Sequence, residues 1–351
     1  MNMSYVMETE INSQGTIIEN LVSRYIVNYC VLMDVPLEVK RIVIVASGSS
    51  FNAGVFGKYF FENIAKISTS VEYASELIAS SFEEFDKDCL YVFISQSGLS
   101  VDTVEALKKI KEKGAKTLAI TNNLNSTIHN ECDYKFFIDA GIEHAIAATK
   151  TYSATVVMLW LIAVKMAQNK HIDVADETKD IYSIKRNIDA ALTSIDNLEL
   201  ASKMLSKVDS FAIFGLGYNY ALSLEAALKI RETSYIHTSA YPSGEFVHGH
   251  FAQLNKTKAF LTFMTSESGD YEMKILNKVL KTFKAKSIVV SDAYEDYECD
   301  VLIKFQKGHS RIATIVNMIL VIQMLALKIA IKLKRNVDKP QGLVKVVDSK
   351  G

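Results

Sequence analysis

Leu90-Tyr91-Val92-Phe93-Ile94-Ser95-Gln96-Ser97-Gly98 joins an apolar run to a turn of small hydroxyl residues, and a helical pattern, Val101 to Glu112, follows at once. The apolar run reads as a buried strand. A strand that stops at Ser-x-Ser-Gly and turns into a helix gathers hydroxyls and backbone N–H groups at one point. The helix N-terminus adds partial positive charge there, which suits a phosphate. Ser100 supplies one more hydroxyl. The same serines would also serve as a plain helix cap.

Outward from this stretch, short apolar strands alternate with helical patterns, the signature of an α/β chain with parallel sheets. The first half predicts strands at Arg41–Ala46, Ser70–Tyr73, Leu90–Ile94, Thr117–Thr121 and Lys135–Ile138. The second half predicts them at Phe211–Phe214, Ala259–Thr265, Ser287–Ser291 and Val301–Phe305. Each half opens with a strand, a small-residue turn and a helix: Ala46-Ser47-Gly48-Ser49-Ser50 in one, Gly215-Leu216-Gly217-Tyr218-Asn219 in the other. Each half also closes on a long apolar helix. The chain is therefore expected to be a duplicated flavodoxin-like sandwich, with ligands beyond the carboxyl ends of the strands. The expected divisions are a helical lead-in over 1–38, a first domain over 39–172 and a helical, solvent-facing connector over 173–207. A second domain over 208–335 and an extended tail over 336–351 complete the chain.

At 351 residues, with 49% of them apolar and only three prolines, the chain has the composition of a compact globular protein. The formal charge of −1 leaves no basic field for nucleic acid and no polybasic patch for a membrane surface. Cys30, Cys89, Cys132 and Cys299 are scattered, which fits reduced thiols of a cytoplasmic protein. Cys30 is expected inside the helical lead-in. The polar residues from Met1 to Ile11 carry no apolar signal core. The apolar helices around Thr155–Val164 and Ile315–Ile331 fall short of a membrane span and are expected to be buried.

Glu225, Lys229 and Glu232 share one helix face at spacings of four and three. An exposed, salt-bridged face is one reading of them, and acid/base chemistry is the other. Downstream, Ser243-Gly244-Glu245-Phe246-Val247-His248-Gly249-His250 brings two histidines to one loop. No third ligand stands at zinc spacing, so no metal is expected. Gly215-x-Gly217 lacks the third glycine of a dinucleotide site, and no cofactor is expected.

Taken in order, several motifs resemble the tandem sugar-isomerase (SIS) family, as it forms the isomerase portion of glucosamine-6-phosphate synthases. They are Gly48-Ser49-Ser50, Ser95-Gln96-Ser97-Gly98, Ala140-Gly141-Ile142-Glu143 with Ala148-Thr149-Lys150, Leu224 to Lys229, Gly244-Glu245 with His248-Gly249, and the tail from Pro340 to Lys345. The resemblance implies two tandem SIS domains, no cofactor and a homodimer with shared active sites. It implies a sugar-phosphate pocket at Ser49, Ser50, Ser95, Gln96, Ser97 and Ser100, and sugar contacts from the backbone at Ile146 and Ala147. By the same resemblance Glu232 shuttles a proton between the first two sugar carbons, with Glu225 and Lys229 beside it. His248 is the ring-opening acid/base delivered by the partner subunit, and Lys345 holds the open-chain ketose as a Schiff base.

A glutaminase domain is not matched, so the chain is expected to act without one. Leu99 stands where the family has Glu, His250 where it has Pro, and Lys339 where it has Gln. These changes are expected to remodel the far end of the sugar site. The resulting expectation is an enzyme that isomerises and deaminates or deglycates a 6-phosphorylated amino sugar or fructosamine. The alternatives are a plain aldose–ketose phosphosugar isomerase and a non-catalytic phosphosugar sensor.

Overall fold

The computed structural model describes residues 5–80, 88–293 and 296–346. The chain opens with helices α1 (Val6–Asn12) and α2 (Gln14–Tyr25), then an antiparallel hairpin of β1 (Ile26–Val27) and β2 (Cys30–Val31). The first large sheet follows: β3 (Arg41–Ala46), α3 (Gly48–Asn63), β4 (Ser68–Tyr73), α4 (Ala74–Ala79), β5 (Cys89–Ile94), α5 (Val101–Glu112), β6 (Lys116–Thr121), α6 (Thr127–Glu131) and β7 (Tyr134–Phe137). The long helix α7 (Lys150–Asn169) comes next, then α8 (Ala175–Thr178), α9 (Ile184–Thr193) and α10 (Leu198–Leu205). The second sheet is built from β8 (Ser210–Gly215), α11 (Tyr218–Ser234), β9 (His237–Pro242), α12 (Ser243–Phe246), β10 (Ala259–Phe263), α13 (Asp270–Thr282), β11 (Lys286–Ser291) and β12 (Val301–Lys304). It ends in α14 (Arg311–Lys332).

Both sheets are five-stranded and parallel throughout, in the orders β4-β3-β5-β6-β7 and β9-β8-β10-β11-β12. Counted within each copy, that is twice the order 2-1-3-4-5, the doubly wound arrangement of flavodoxin. The duplicated α/β reading is thus the observed fold. The described residues fall into two compact units. One comprises Ser13–Glu143, Lys150–Lys185 and the chain from Val344; the other comprises the N-terminal segment through Asn12, His144–Thr149 and Arg186–Leu343.

In the first of these units β5 is buried along its whole length, as expected of a central parallel strand. α7 packs against α2 and α3. Gly57 lets α3 approach so closely that a Cβ there would meet Ile44 Cδ1 and Leu159 Cδ2 at 3.0 Å. In the other unit α14 packs on α10 and α11. Of the most apolar stretch of α7, and likewise of α14, 89% is buried within the protein. Both helices are apolar on most faces because they are core helices.

Four local expectations are corrected. The lead-in expected over 1–38 does not stay helical: Ile26-Val27 and Cys30-Val31 pair as strands around Asn28 and Tyr29, both with left-handed φ (50° and 64°). Paired left-handed residues in a two-residue loop form the hairpin turn that matches strand twist, so Cys30 lies on an exposed strand and outside any helix. The sequence His237–Pro242 forms a strand beside β8, although its mixture of Thr, Ser and Tyr hides the apolar alternation. The 173–207 segment is helical but does not simply face solvent. Ile188, Ala191, Leu198, Ala201 and Leu205 are buried, and α10 lies on α14. Strand ends shift by one or two residues from the predicted bounds.

All four cysteines are free; Cys89 and Cys132 are buried and Cys30 is exposed. Burial pushes the Cys132 thiol up to about 12 and also raises Cys299. The reactive thiolate is scarcer as the pKa rises. A maleimide probe at neutral pH should therefore label Cys30 at least about tenfold faster than the other three. Rapid labelling of Cys89 or Cys132 in the folded protein would contradict this burial.

Candidate active site

The turn after β5 is shaped by Gly98, whose φ of +64° is left-handed and whose missing side chain matters as much. A Cβ there would lie 2.0 Å from Ser126 Oγ. The Gly98 amide donates to the Ser95 carbonyl and to Ser95 Oγ (3.2 and 3.1 Å), closing the turn. Asn123 Nδ2 donates to the Ser97 carbonyl at 3.0 Å, and the Asn122 amide to the Gln96 carbonyl at 3.0 Å. The Ser95 and Ser100 hydroxyls lie 3.1 Å apart.

Ser100 is the N-cap of α5, yet its side chain makes no capping bond. Among the described residues nothing accepts from the amides of Ser97 and Ser100. The turn therefore presents hydroxyls and N–H groups at a helix N-terminus without using them as a cap. Ala46 and Ile94 are partners across β3 and β5. The turn carrying Ser49 and Ser50, at the start of α3, thus lies beside the Ser95–Ser100 turn at the switch point of the sheet. Gln96 belongs to the same turn. Ser47 Oγ donates to Asp102 Oδ2 at 2.9 Å and links the two turns.

The equivalent turn of the second sheet, after β10, is chemically different. There Asp292, at the end of β11, accepts the Ser266 amide at 2.6 Å and the Ser266 hydroxyl at 3.2 Å. Ser268 Oγ accepts the Thr265 amide, and Glu272 accepts the Gly269 amide. Burial raises the pKa of Glu272. A cavity of about 200 Å³ opens at this place, lined by Leu216, Asn219, Ser266, Glu272, Asp292 and Arg311 among others. Its amides already hold protein carboxylates, so it is not a second copy of the serine turn.

Helix α11 carries the charged trio. Glu225 and Lys229 side chains are 0% exposed and Glu232 is 24% exposed. Lys229 Nζ lies 3.3 Å from Glu225 Oε1 and 3.0 Å from Glu232 Oε2. The exposed salt-bridged face considered from the sequence is thus replaced by a buried ion pair with one carboxylate at the surface. The helix is held by β8, β9 and α14. Thr238 Oγ1 donates to the Ala227 carbonyl at 2.6 Å, and Arg231 donates to the Thr238 carbonyl at 3.0 Å, so β9 fixes it along its length. A buried lysine demands carboxylates at hydrogen-bond distance, and helix spacing supplies them here.

Lys345, in the tail, pairs with Glu143 at 2.5 Å. Glu143 is buried and also accepts the Thr151 amide and hydroxyl (3.2 and 2.7 Å) at the start of α7. Glu143 stood in a quoted motif without a role; its pairing with Lys345 spans 202 residues and leaves no local signal. Ser49, Ser50, Ser95, Gln96, Ser97, Ser100 and Lys345 all belong to the unit of the first sheet. Glu225, Lys229, Glu232, Ile146, Ala147 and His248 belong to the unit of the second.

Ile146 donates its amide to the Asp338 carbonyl at 3.1 Å, and Ala147 is buried. His248 follows α12, exposed, its amide bonded to the Glu245 carbonyl. His250 stacks on Tyr241, ring centroids 4.3 Å apart. Among the described residues no group of three or more His, Cys, Asp or Glu side chains is placed to hold a metal.

Comparison with known proteins identifies the family and agrees with the duplicated fold. Residues 37–165 and 204–328 each match the SIS domain family. The glutamine–fructose-6-phosphate aminotransferase of Campylobacter jejuni is 34% identical over 313 residues, covering 88% of this chain and 52% of that protein. The chain thus spans about half the length of the curated relatives it matches. Among solved structures, the C-terminal domain of glucosamine-fructose-6-phosphate aminotransferase from Francisella tularensis is similar with a TM-score of 0.89 at 29% identity, covering 97% of this chain and 99% of that one. Glucosamine-6-phosphate deaminase from Thermotoga maritima shares the fold, with a TM-score of 0.79 at 20% identity over 98% of this chain and 99% of that one.

The trio makes a stability prediction. Lys229→Met strands Glu225 in the core without a cation and should cost about 3–5 kcal/mol in urea unfolding. Glu232→Gln leaves Lys229 its Glu225 partner and should cost less than about 1 kcal/mol. Equal losses from the two substitutions would mean the pair is not buried as described.

Proposed function

The chain belongs to the SIS domain family, and from that premise we propose an enzyme that isomerises a 6-phosphorylated amino sugar or fructosamine and releases its amine. The observation that carries the reading is Glu232: a carboxylate at the surface, backed by a lysine that is itself fully buried. Moving a hydrogen between adjacent carbons needs one group that takes a proton from the first and returns it to the second. A carboxylate anchored through Lys229 holds its oxygens in one orientation for both transfers.

In this reading the serine turn takes the phosphate, whose binding energy fixes the sugar remote from the reacting carbons. His248 opens the ring by exchanging protons with the ring oxygen and the anomeric hydroxyl. Glu232 then moves a proton between C1 and C2. The amine-bearing carbon becomes an imine carbon, water adds there, and the amine leaves with a proton. Lys345 engages the carbonyl of the open-chain ketose. Its ammonium must lose a proton to do so, and Glu143, at 2.5 Å, is the acceptor at hand.

The direct test incubates the protein with phosphorylated amino sugars and fructosamines and follows released amine and ketose or aldose phosphate. Glu232→Gln should lower kcat about a thousandfold while the affinity for the phosphosugar stays within about threefold. Loss of binding instead would make Glu232 a ligand contact. Interconversion of aldose and ketose phosphates without amine release would leave the plain isomerase as the answer.

The proposal includes a cytoplasmic homodimer in which His248 serves the partner's site. Co-expressed His248→Ala and Glu232→Gln chains, each inactive alone, should regain about a quarter of wild-type activity. In random pairing half the dimers are mixed and each mixed dimer has one intact site. No recovery, or an active monomer, would contradict sharing.

A further inference from the structure

Three segments far apart in sequence meet around the backbone at 144–146, all within one unit: helix α1, the segment His144–Thr149 and the stretch that follows α14. Glu10, on α1, is nearly fully buried. Its Oε1 accepts the His144 amide at 2.6 Å and its Oε2 accepts the Ala145 amide at 3.3 Å. Asp338 accepts the amides of Val6 and Met7, the first two residues of α1, at 3.0 and 2.8 Å through its two carboxylate oxygens. The backbone carbonyl of the same Asp338 accepts the Ile146 amide at 3.1 Å.

Three consecutive amides, 144 to 146, are therefore held by two acidic residues, and one of these also caps the helix that carries the other. The far end of the segment is fixed as well, for Gln323 Nε2 donates to the Thr149 carbonyl at 3.2 Å. Met7 and Ile11 bury the apolar side of α1, and Val337, the residue before Asp338, is buried as well. The arrangement costs two buried or half-buried carboxylates, which bare chain termini and loops do not ordinarily carry.

We propose that Glu10 and Asp338 are positioning residues for the sugar, clamping the backbone of Ile146 and Ala147 in the place where it meets the substrate. The inference rests on the proposed function together with the family resemblance, which implies that the backbone of those two residues meets the sugar. The consecutive amides of His144 and Ala145 donate to the charged Glu10 carboxylate, which removes backbone freedom more firmly than a neutral acceptor does. The Ile146 amide donates to the carbonyl of Asp338, a residue whose own carboxylate is held by α1. A loop held this way pays its ordering cost on folding, and the ligand does not have to supply it.

The test combines steady-state kinetics with amide hydrogen exchange on the full chain. Glu10→Ala and Asp338→Ala should each raise KM for the phosphosugar about tenfold, with kcat changed by less than about threefold. Glu10→Gln keeps an acceptor for the His144 amide, and Asp338→Asn keeps one for α1; both should restore KM to within about threefold of wild type. Exchange at His144, Ala145 and Ile146 should speed up at least about tenfold in the alanine variants while the core of α14 stays protected.

Faster exchange with unchanged kinetics would overturn the positioning role, and so would unchanged exchange with a raised KM. A KM defect that the conservative variants fail to rescue would overturn it too. A wild-type chain that processes no phosphosugar, with the exchange behaving as described, would instead sink the functional reading on which the clamp depends. If an alanine variant fails to fold, the conservative pair and its exchange rates still decide: Glu10→Gln and Asp338→Asn must match wild type at 144–146 within about threefold.

Discussion

An ammonium group with no solvent exposure has to be neutralised where it sits, and Lys229 meets that condition through Glu225 and Glu232 on its own helix. Much else in this unit follows from that requirement. Because both partners sit on α11 itself, the trio is placed as one unit, and the packing of the helix against β8, β9 and α14 decides which of its members is buried. Of the three charged groups only Glu232 reaches the surface. The fold thus leaves one carboxylate of the trio partly exposed and anchored through the buried lysine.

The duplicated sheets show how the same topology can take two chemical forms. After β5 the turn leaves serine hydroxyls and two amides without protein acceptors among the described residues, under the N-terminus of α5. After β10 the corresponding amides are occupied by Asp292 and Glu272, so the turn already carries its own negative charge. The first turn leaves amides and hydroxyls that an anion could use, whereas the second has committed the corresponding amides to its own carboxylates. The asymmetry shows that a repeated scaffold can carry different chemistry at corresponding turns, with free amides in one copy and carboxylate-bound amides in the other.

The sheet order and most strands were legible because apolar runs of four to six residues between turn residues have few other readings. The Glu225–Lys229–Glu232 stripe was legible as a face, but its burial was not, since burial depends on what α14 and β9 bring over it. Strand β9 escaped because His237, Thr238 and Ser239 do not alternate in polarity; the strand earns its place by pairing with β8 and bonding back to α11. The hairpin at Ile26–Val31 escaped because its left-handed pair is Asn28-Tyr29, with no glycine to mark it. Glu10, Glu143 and Asp338 were invisible for a different reason. Their pairings with His144, Lys345 and the start of α1 span more than a hundred residues, and no local periodicity records such a meeting.

The most direct measurement of the central claim follows deuterium from solvent into the carbon-bound hydrogens of a hexose 6-phosphate held by the protein. If a surface carboxylate on α11 ferries a proton between the first two carbons, NMR in D2O should show label entering at C1 or C2 no more slowly than product accumulates. Product accumulating with protium retained at both carbons would mean that the hydrogen moves without a solvent-exchangeable carrier. Complete absence of label from every phosphosugar tried would remove proton transfer from this protein altogether.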